Sequence, residues 1–327
     1  MHCILIKEGH VSTVFAESLA ESDTQLELIK YSSFTKLFQH LKERESGNKV
    51  YLHSPDFNFI FLVIFFYKKF KFRYFLHEPY ISYNRSPSIT FWLGYHLWLF
   101  LIQFFCSFIF LSKKGMNLAN KKFFLVRPSK FLGVLPIAID EKKLSIKNAP
   151  STCFDFIMWG SLNHEKGLDR FIQVARRLPN KSFAAMSRSN NYLQSLKKIN
   201  SDLKNFKWFL SKRFIDDKEI FRFIDSSKFA FMLQRESTQS GQLPLALALG
   251  KSVFASDAGS FPEFLNEAKF SKVFQNSKPE NEMIDDVVSY IKIIEGHENA
   301  AQNEAKLIFK NNFDSQSSTF KNWTKNF

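Results

Sequence analysis

Cysteine, glycine and proline are all scarce in this 327-residue chain, which holds three, eleven and ten of them. Cys3, Cys106 and Cys153 stand far apart, in or beside apolar runs, with no C-x-x-C pair and no His/Cys spacing that would hold zinc. A disulfide scaffold and a structural zinc site are thereby unsupported, and the cysteines are expected to be small buried hydrophobes in a reducing cytoplasm. No low-complexity tract and no internal repeat interrupts the chain. Missing too are G-x-G-x-x-G, G-x-x-x-x-G-K-[ST] and G-x-S-x-G, so dinucleotide-binding, P-loop and serine-hydrolase readings lose their main support. No Asp-x-Asp pair is present to bridge a diphosphate through a metal. The first residues run directly into the apolar Cys3-Ile4-Leu5-Ile6 without the basic-then-apolar pattern of a secretory signal, so the protein is expected to stay inside the cell.

Positive charge is in excess. Lysine and arginine number 45 against 31 acidic residues, a net charge of +14, which favours an anionic partner. The excess divides evenly between the two halves of the chain, so neither end is a basic tail. Phenylalanine, at 40 residues, is the other excess; beside so many lysines and asparagines it reads as codon bias rather than a special aromatic function. One stretch, Tyr67-Lys68-Lys69-Phe70-Lys71-Phe72-Arg73-Tyr74, interleaves cations with rings. That composition suits an anionic bilayer or a nucleic acid, and equally a solvated loop leading into a strand. Ile89 to Leu111 carries no charge and is long enough to span a bilayer. Gly94, His96, Gln103 and Ser107 within it, and cations on both flanks, favour dividing it into a helix through about Phe104 and a strand from Cys106 to Leu111. A shallow membrane-facing helix with Trp92, Tyr95 and Trp98 at the interface is compatible with that division.

The length suits two domains. In the first half, apolar strand-like runs at Cys3 to Ile6, Val50 to His53, Phe72 to Leu76, Phe123 to Val126 and Val134 to Asp140 alternate with helix-like stretches at Leu37 to Arg44 and Phe57 to Tyr67. Such alternation predicts a parallel sheet covered by helices. Residues 1–140 form the expected N-terminal domain and 141–152, polar and containing Pro150, the linker. In 153–312, strands are expected at Phe154 to Trp159, Phe183 to Met186, Phe206 to Leu210, Phe229 to Leu233, Val253 to Ser256 and Lys272 to Phe274. Helices fall between them at Leu168 to Leu178, Tyr192 to Leu203, Asp217 to Ile224 and Ser240 to Leu249, with Glu282 to Ile294 after the last strand. The pattern is that of a doubly wound α/β domain, whose ligands bind beyond the carboxyl ends of the strands.

Two strand-to-helix turns carry the chemistry: Gly160-Ser161-Leu162-Asn163-His164-Glu165-Lys166-Gly167-Leu168-Asp169, and Gln239-Ser240-Gly241-Gln242-Leu243-Pro244. The first amides of a helix are unpaired and partly positive, and a lysine adds a full charge, so two such turns facing one crevice suit a diphosphate. A nucleotide-sugar is the natural occupant. Lys166 sits where a cation opposes the helix dipole, which favours ligand binding over a solvated lysine. Ser240 reads as an N-cap, a phosphate contact, or both.

These residues resemble the retaining nucleotide-sugar glycosyltransferases of family four, whose GT-B architecture sets two Rossmann-like domains face to face. Gly160-Ser161-Leu162 through Glu165-Lys166-Gly167-Leu168-Asp169 is similar to that family's first glycine turn. Gln239-Ser240-Gly241 through Gly250-Lys251-Ser252-Val253-Phe254-Ala255 is similar to the Q-S-G segment of bacterial surface-polysaccharide members, and Asp257 to Glu263 continues it. His77-Glu78-Pro79 at a strand end, and a terminal segment at 313–327 returning to the first domain, match less specific signposts. Two departures stand out. Ser161 occupies a position where many members carry arginine, which leaves Lys166 as the cation of that loop, and the family's paired glutamates fall here at Ser237 and Leu245.

The resemblance implies a retaining, metal-independent transfer with no cofactor beyond the nucleotide-sugar, to a lipid-linked or polysaccharide acceptor, at the cytoplasmic face of an anionic bacterial inner membrane. A nucleic acid is not among the implied partners. Lys166 and the amides around Ser240 and Gly241 would take the diphosphate. Gly160, Ser161, Arg213, Glu236, Gln239 and Glu263 would complete the donor side, with Arg213 and Phe214 beside the base and Glu263 at the sugar hydroxyls. His77 or Glu78 would serve the acceptor hydroxyl, and Gly9 and His10 would line the acceptor side. The reading of a different class is a basic membrane- or nucleic-acid-binding protein on a degenerate transferase fold.

Overall fold

A computed structural model describes residues 2–7, 26–52, 58–76, 88–110, 112–122, 130–131, 154–237 and 240–325. The chain divides into two compact units, Met1–Ile139 with Phe313–Phe327, and Asp140–Asn312. Among the described residues each is built on a six-stranded parallel sheet.

The first unit runs β1 (His2–Lys7), β2 (Leu26–Tyr31), α1 (Phe34–Glu43), β3 (Lys49–Leu52), α2 (Phe59–Phe66), β4 (Lys71–Leu76), α3 (Ile89–Ile102), β5 (Cys106–Phe110), α4 (Lys113–Lys122) and β6 (Lys130–Phe131). Its strand order is β2-β1-β3-β4-β5-β6. From β2 onward every crossover advances in one direction, and right-handed crossovers then lay α1 to α4 on one face. The core agrees: Leu37, Leu41, Phe59, Leu62, Val63, Trp98, Leu99, Ile102 and Ala119 pack with Cys3, Leu5, Val50, Leu52, Phe72, Tyr74, Cys106, Phe108 and Phe110, one alternating face of the strands. Cys3 and Cys106 are buried and unbridged, and burial pushes the Cys3 thiol up to about 12.

The charge-free stretch is divided as its sequence suggests. Ser88 caps α3 by accepting from the Phe91 amide at 3.1 Å, the helix ends at Ile102, and β5 follows. No helix among the described residues is long and apolar enough to cross a membrane. Of the residues compatible with an interfacial position, Tyr95 and Trp98 are buried, with Trp98 edge-on to Tyr74 at 5.2 Å, because they form the side of α3 that rests on the sheet. Strand β2 is absent from the sequence expectation. It lies at the sheet edge with one neighbour, and Glu27 and Lys30 break its apolar run. The expected strands at 123–126 and 134–140 and the linker at 141–152 lie outside the described residues.

The second unit runs β7 (Phe154–Trp159), α5 (Leu168–Arg177), β8 (Phe183–Arg188), α6 (Asn191–Ile199), β9 (Phe206–Ser211), α7 (Asp217–Asp225), β10 (Ser227–Met232), α8 (Gln242–Ala248), β11 (Ser252–Ser256), α9 (Phe261–Leu265), β12 (Lys272–Phe274), α10 (Glu280–Ile294) and the first part of α11 (Glu298–Lys325), which from Phe313 onward belongs to the first unit. Phenylalanine fills the centre of the second unit. Phe156 stacks on Phe183 at 5.1 Å and on Phe229 at 5.6 Å, and meets Phe231 edge-on at 5.4 Å. Helix starts follow local chemistry: Asp216 and Glu219 close a reciprocal capping box on α7, and Asn190 accepts from the Leu193 amide at 2.9 Å on α6. Pro244 is tolerated as the third residue of α8 because the first amides of a helix have no intrahelical partner to lose.

The strand order is β12-β11-β10-β7-β8-β9. The chain lays β8 and β9 on one side of β7, then returns to place β10 on the other. The order therefore reverses between β7 and β10. In open parallel sheets this reversal opens a crevice at the carboxyl ends of the two strands.

Candidate functional site: the β7 and β10 turns

Both turns singled out in the sequence leave the sheet at that reversal. Gly160 follows β7 with φ 102°, Ser161 is exposed and Leu162 turns back into the core. Asn163 then closes a tight turn, accepting the Lys166 amide on its side chain at 2.9 Å and on its carbonyl at 3.2 Å. Gly167 is the N-cap of α5 in the left-handed region, φ 75°. A β-carbon there would run into the carbonyl oxygen of Leu233, the residue following β10, so the glycine lets two backbones touch.

The two turns are stitched together by polar contacts. The Lys166 ammonium donates to the side-chain oxygen of Gln234 at 3.0 Å, and the Gln234 amide donates to Gln242 at 3.2 Å. Gln242 donates in turn to the Trp159 carbonyl, closing a ring of contacts from β7 through both turns. Gln234 is fully buried, and its carbonyl accepts from Ser256 and from Asn276. Arg235 donates its amide to the Glu165 carbonyl at 2.7 Å and a guanidinium N–H to the His164 carbonyl at 2.7 Å. It also grips Asp169 with two hydrogen bonds of 2.8 and 2.6 Å and reaches Glu280 at 2.8 Å. Arg170, buried, completes the group with Glu280 at 3.1 Å, Asn276 at 2.7 Å and the Leu233 carbonyl at 3.2 Å.

This network sets the charge states. Burial works against ionisation of Asp169, yet the Arg235 hydrogen bonds and charge hold its carboxyl below the usual aspartate range. Burial likewise opposes the charge on Glu280, and Arg170, Arg235 and Gln173 outweigh it. Arg235 is shifted up by the Asp169 hydrogen bonds. Burial, with the Asp169 charge added, pushes the Tyr192 hydroxyl up to about 12. The guanidiniums are thus committed to neighbouring carboxylates.

The expected site residues are brought together unevenly. Gly160, Ser161, Lys166, Ser240 and Gly241 converge on the β7 and β10 turns. Ser240 is not the N-cap: α8 starts at Gln242, Gly241 is the cap, and the buried Ser240 hydroxyl accepts the Gln242 amide at 3.3 Å. Glu236 is exposed beside Arg235, and Glu263 is half-buried in the first turn of α9, which follows β11 on the same sheet edge. Arg213 follows β9, at the far edge of the sheet, and is engaged by Glu219 at 2.6 Å, while the neighbouring Phe214 is 76% exposed. Gln239, His77, Glu78, Gly9 and His10 lie outside the described residues. Gln234, Arg235 and Gln242 were missed as site residues. The signal for the first two was position alone, polar residues directly after a buried strand.

Among the described residues no group of three or more His, Cys, Asp or Glu side chains gathers in a way that would hold a metal ion. What the arrangement offers is an ammonium fixed by a buried amide, next to main-chain amides at two helix starts, at the crevice of a doubly wound sheet.

Two parallel-sheet α/β domains of this kind define the GT-B fold, and comparison with solved structures bears this out. HepE from Anabaena, solved in complex with UDP, superposes with a TM-score of 0.71 at 12% identity, covering 100% of both chains. An α,α-trehalose-phosphate synthase (UDP-forming) from Burkholderia vietnamiensis gives 0.71 at 10% identity, again over 100% of both chains. Sucrose-phosphate synthase from Thermosynechococcus elongatus gives 0.70 at 8% identity, covering 100% of this chain and 99% of its own. No protein-family model and no curated protein matches the sequence.

Proposed function

We propose that the protein is a glycosyltransferase that moves a sugar from a nucleoside-diphosphate donor to a lipid-linked or polysaccharide acceptor in bacterial cell-surface polysaccharide synthesis. The observation that carries this reading is the position of Lys166 and of the Gly160 and Gly241 turns at the β7/β10 reversal. The UDP bound to the structurally similar HepE supports a nucleoside diphosphate as the occupant.

The chemistry follows from the site. Transfer breaks the bond between the anomeric carbon and the diphosphate oxygen, and negative charge grows on the departing phosphate. Lys166 and the amides at the two turns stabilise that charge in place, without reorganisation during the reaction and without calling on a metal. The exposed Ser161 and Glu236 flank the diphosphate, with Gln239 on the same turn, and Glu263 takes donor-sugar hydroxyls. His77 or Glu78, immediately following β4, accepts the proton of the attacking hydroxyl, with Gly9 and His10 lining the acceptor side. Retention of anomeric configuration comes with the family resemblance, and the setting is the cytoplasmic face of an anionic inner membrane.

A panel of nucleotide-sugars tests the reading by thermal shift, followed by release of nucleoside diphosphate in the presence of lipid-linked acceptors. One donor should protect the wild type, and Lys166→Ala should weaken its binding by about tenfold to a hundredfold, the range for losing a charge-assisted contact. Protection of Lys166→Ala equal to that of the wild type, or no protection by any donor, contradicts it. Protection without turnover points instead to a binding protein on this fold.

A further inference from the structure

Helices α1 to α4 form one layer, and two of them break the rule for such a layer. A helix covering a sheet should bury one side and present polar residues on the other. Outer helices α1 and α4 obey, exposing Lys36, Gln39, Lys42 and Glu43, and Lys113, Lys114, Asn117 and Lys121. The inner pair carries large apolar residues on its outer side as well, with no charged residue in either helix. Helix α2 exposes Phe61 (63%), Ile64 and Phe65, and α3 exposes Ile89, Phe91, Leu93, Leu97 (58%), Phe100 and Leu101. Their trailing turns add Tyr67 and Phe104, and a contact of Tyr67 with Phe105 at 5.7 Å joins those turns. The remaining exposed large hydrophobics of the described residues, Ile199, Phe209, Phe214, Ile293 and Leu307, are scattered through the second unit. The layer therefore carries a concentrated apolar face rather than the single exposed residues any surface has.

The charges around this face are predominantly positive, with Glu43 and Glu45 at the end of α1 as exposed acidic exceptions. Between Asp56 and Asp140 the sequence holds one acidic residue, Glu78, against Lys68, Lys69, Lys71, Arg73, Arg85, Lys113, Lys114, Lys121, Lys122, Arg127 and Lys130. Lys68 and Lys71, at the trailing end of α2 and the start of β4, are exposed, as are Lys113, Lys114 and Lys121 at the flank. A second copy of the chain fits poorly, since a two-fold contact through this face would set like charges against like. An anionic lipid surface fits both features: the acyl region takes the rings and aliphatic side chains, and the headgroups meet the lysines.

We infer that the outer face of α2 and α3 is a membrane-docking surface that inserts Phe61, Phe65, Leu93, Leu97 and Phe100 into the headgroup boundary of an anionic bilayer, with Lys68, Lys71, Lys113 and Lys114 on the phosphates. The helices lie in the plane of the interface and do not cross it. The inference names the contact face for the membrane setting proposed above and rests on that setting, but it does not require nucleotide binding.

Co-sedimentation of the full chain with vesicles tests it, comparing phosphatidylcholine vesicles with vesicles of equal parts phosphatidylcholine and phosphatidylglycerol. The wild type should pellet with the anionic vesicles and stay in solution with the neutral ones. Phe61→Glu with Leu97→Glu, at two exposed positions, should lower binding by at least about tenfold, because two burial sites become charged. Lys68→Glu with Lys71→Glu should lower it by about fivefold or more per lysine and keep the apolar face intact, so the test survives if the first pair fails to fold. Undiminished binding of a folded Phe61→Glu/Leu97→Glu chain overturns the inference. So does a wild type that ignores anionic vesicles, or one that dimerises through this face instead. Thermal shift with UDP on the same samples separates the two readings: vesicle binding without nucleotide protection overturns only the transferase reading, and protection without vesicle binding overturns only this one.

Discussion

Gly160 and Gly167 flank the same turn, both with positive φ, yet alanine at each should cost different amounts. At Gly160 the added methyl would meet the end of the Gln242 side chain at 2.6 Å, which can swing away, leaving mainly the backbone penalty of roughly 1–2 kcal/mol. At Gly167 the obstacle is the Leu233 carbonyl, which cannot move without displacing β10, so Gly167→Ala should cost about 3 kcal/mol or more. Urea unfolding of the two variants checks this, and equal losses would show that the α5 start and the β10 turn are not in backbone contact. Lys166 and Gly160 were legible in the sequence because they sit in a glycine turn between a strand pattern and a helix pattern. Gln234 and Arg235 were not, since their partners lie 68 and 45 residues away, at Lys166 and Glu280. Only the folded sheet brings those together.

At the level of elements, Arg235 is the staple between the β10 turn, α5 and α10. Removing it leaves Asp169 partly buried without its partner, and Arg235→Ala should cost about 2 kcal/mol, less than for a fully buried pair because some solvent reaches both groups. The pH dependence has a definite sign. Asp169 and Glu280 have folded-state values below the usual range, so their contribution is present above the ordinary carboxylate values near ~4 and is lost as pH falls through the lower folded values. Thermal midpoints should fall as the pH drops from about 5 towards 3, and Arg235→Ala should flatten that slope. Asp155, also held low against its burial by Ser182 and Lys228, leaves a residual slope in the variant. An unchanged slope would show that the staple does not set these ionisations. Most elements of the second unit were legible because buried strands and amphipathic helices alternate cleanly. Helix α9 was not, being five residues with Pro262 inside its first turn, and α11 was expected only at its end although it starts at Glu298.

At the scale of the molecule, the chain combines two doubly wound units with a strong positive excess, and its two unusual surfaces have different origins in the sequence. The β7/β10 crevice follows from strand order, which no single segment encodes. Its location was nonetheless readable, because glycine-rich turns after two apolar runs mark where helix starts meet strand ends. The charge-free run that forms α3 was visible as composition, but which of its sides is buried was not, since a helix with so little polar patterning gives no periodic cue to it. Amide hydrogen exchange of the whole chain with and without UDP tests the central claim most directly. UDP should slow exchange at 160–167 and 234–242, where the two turns meet, and leave the outer face of α2 and α3 unchanged. Protection confined to other segments, or none at saturating UDP, would contradict the assignment of the β7/β10 crevice as the donor site.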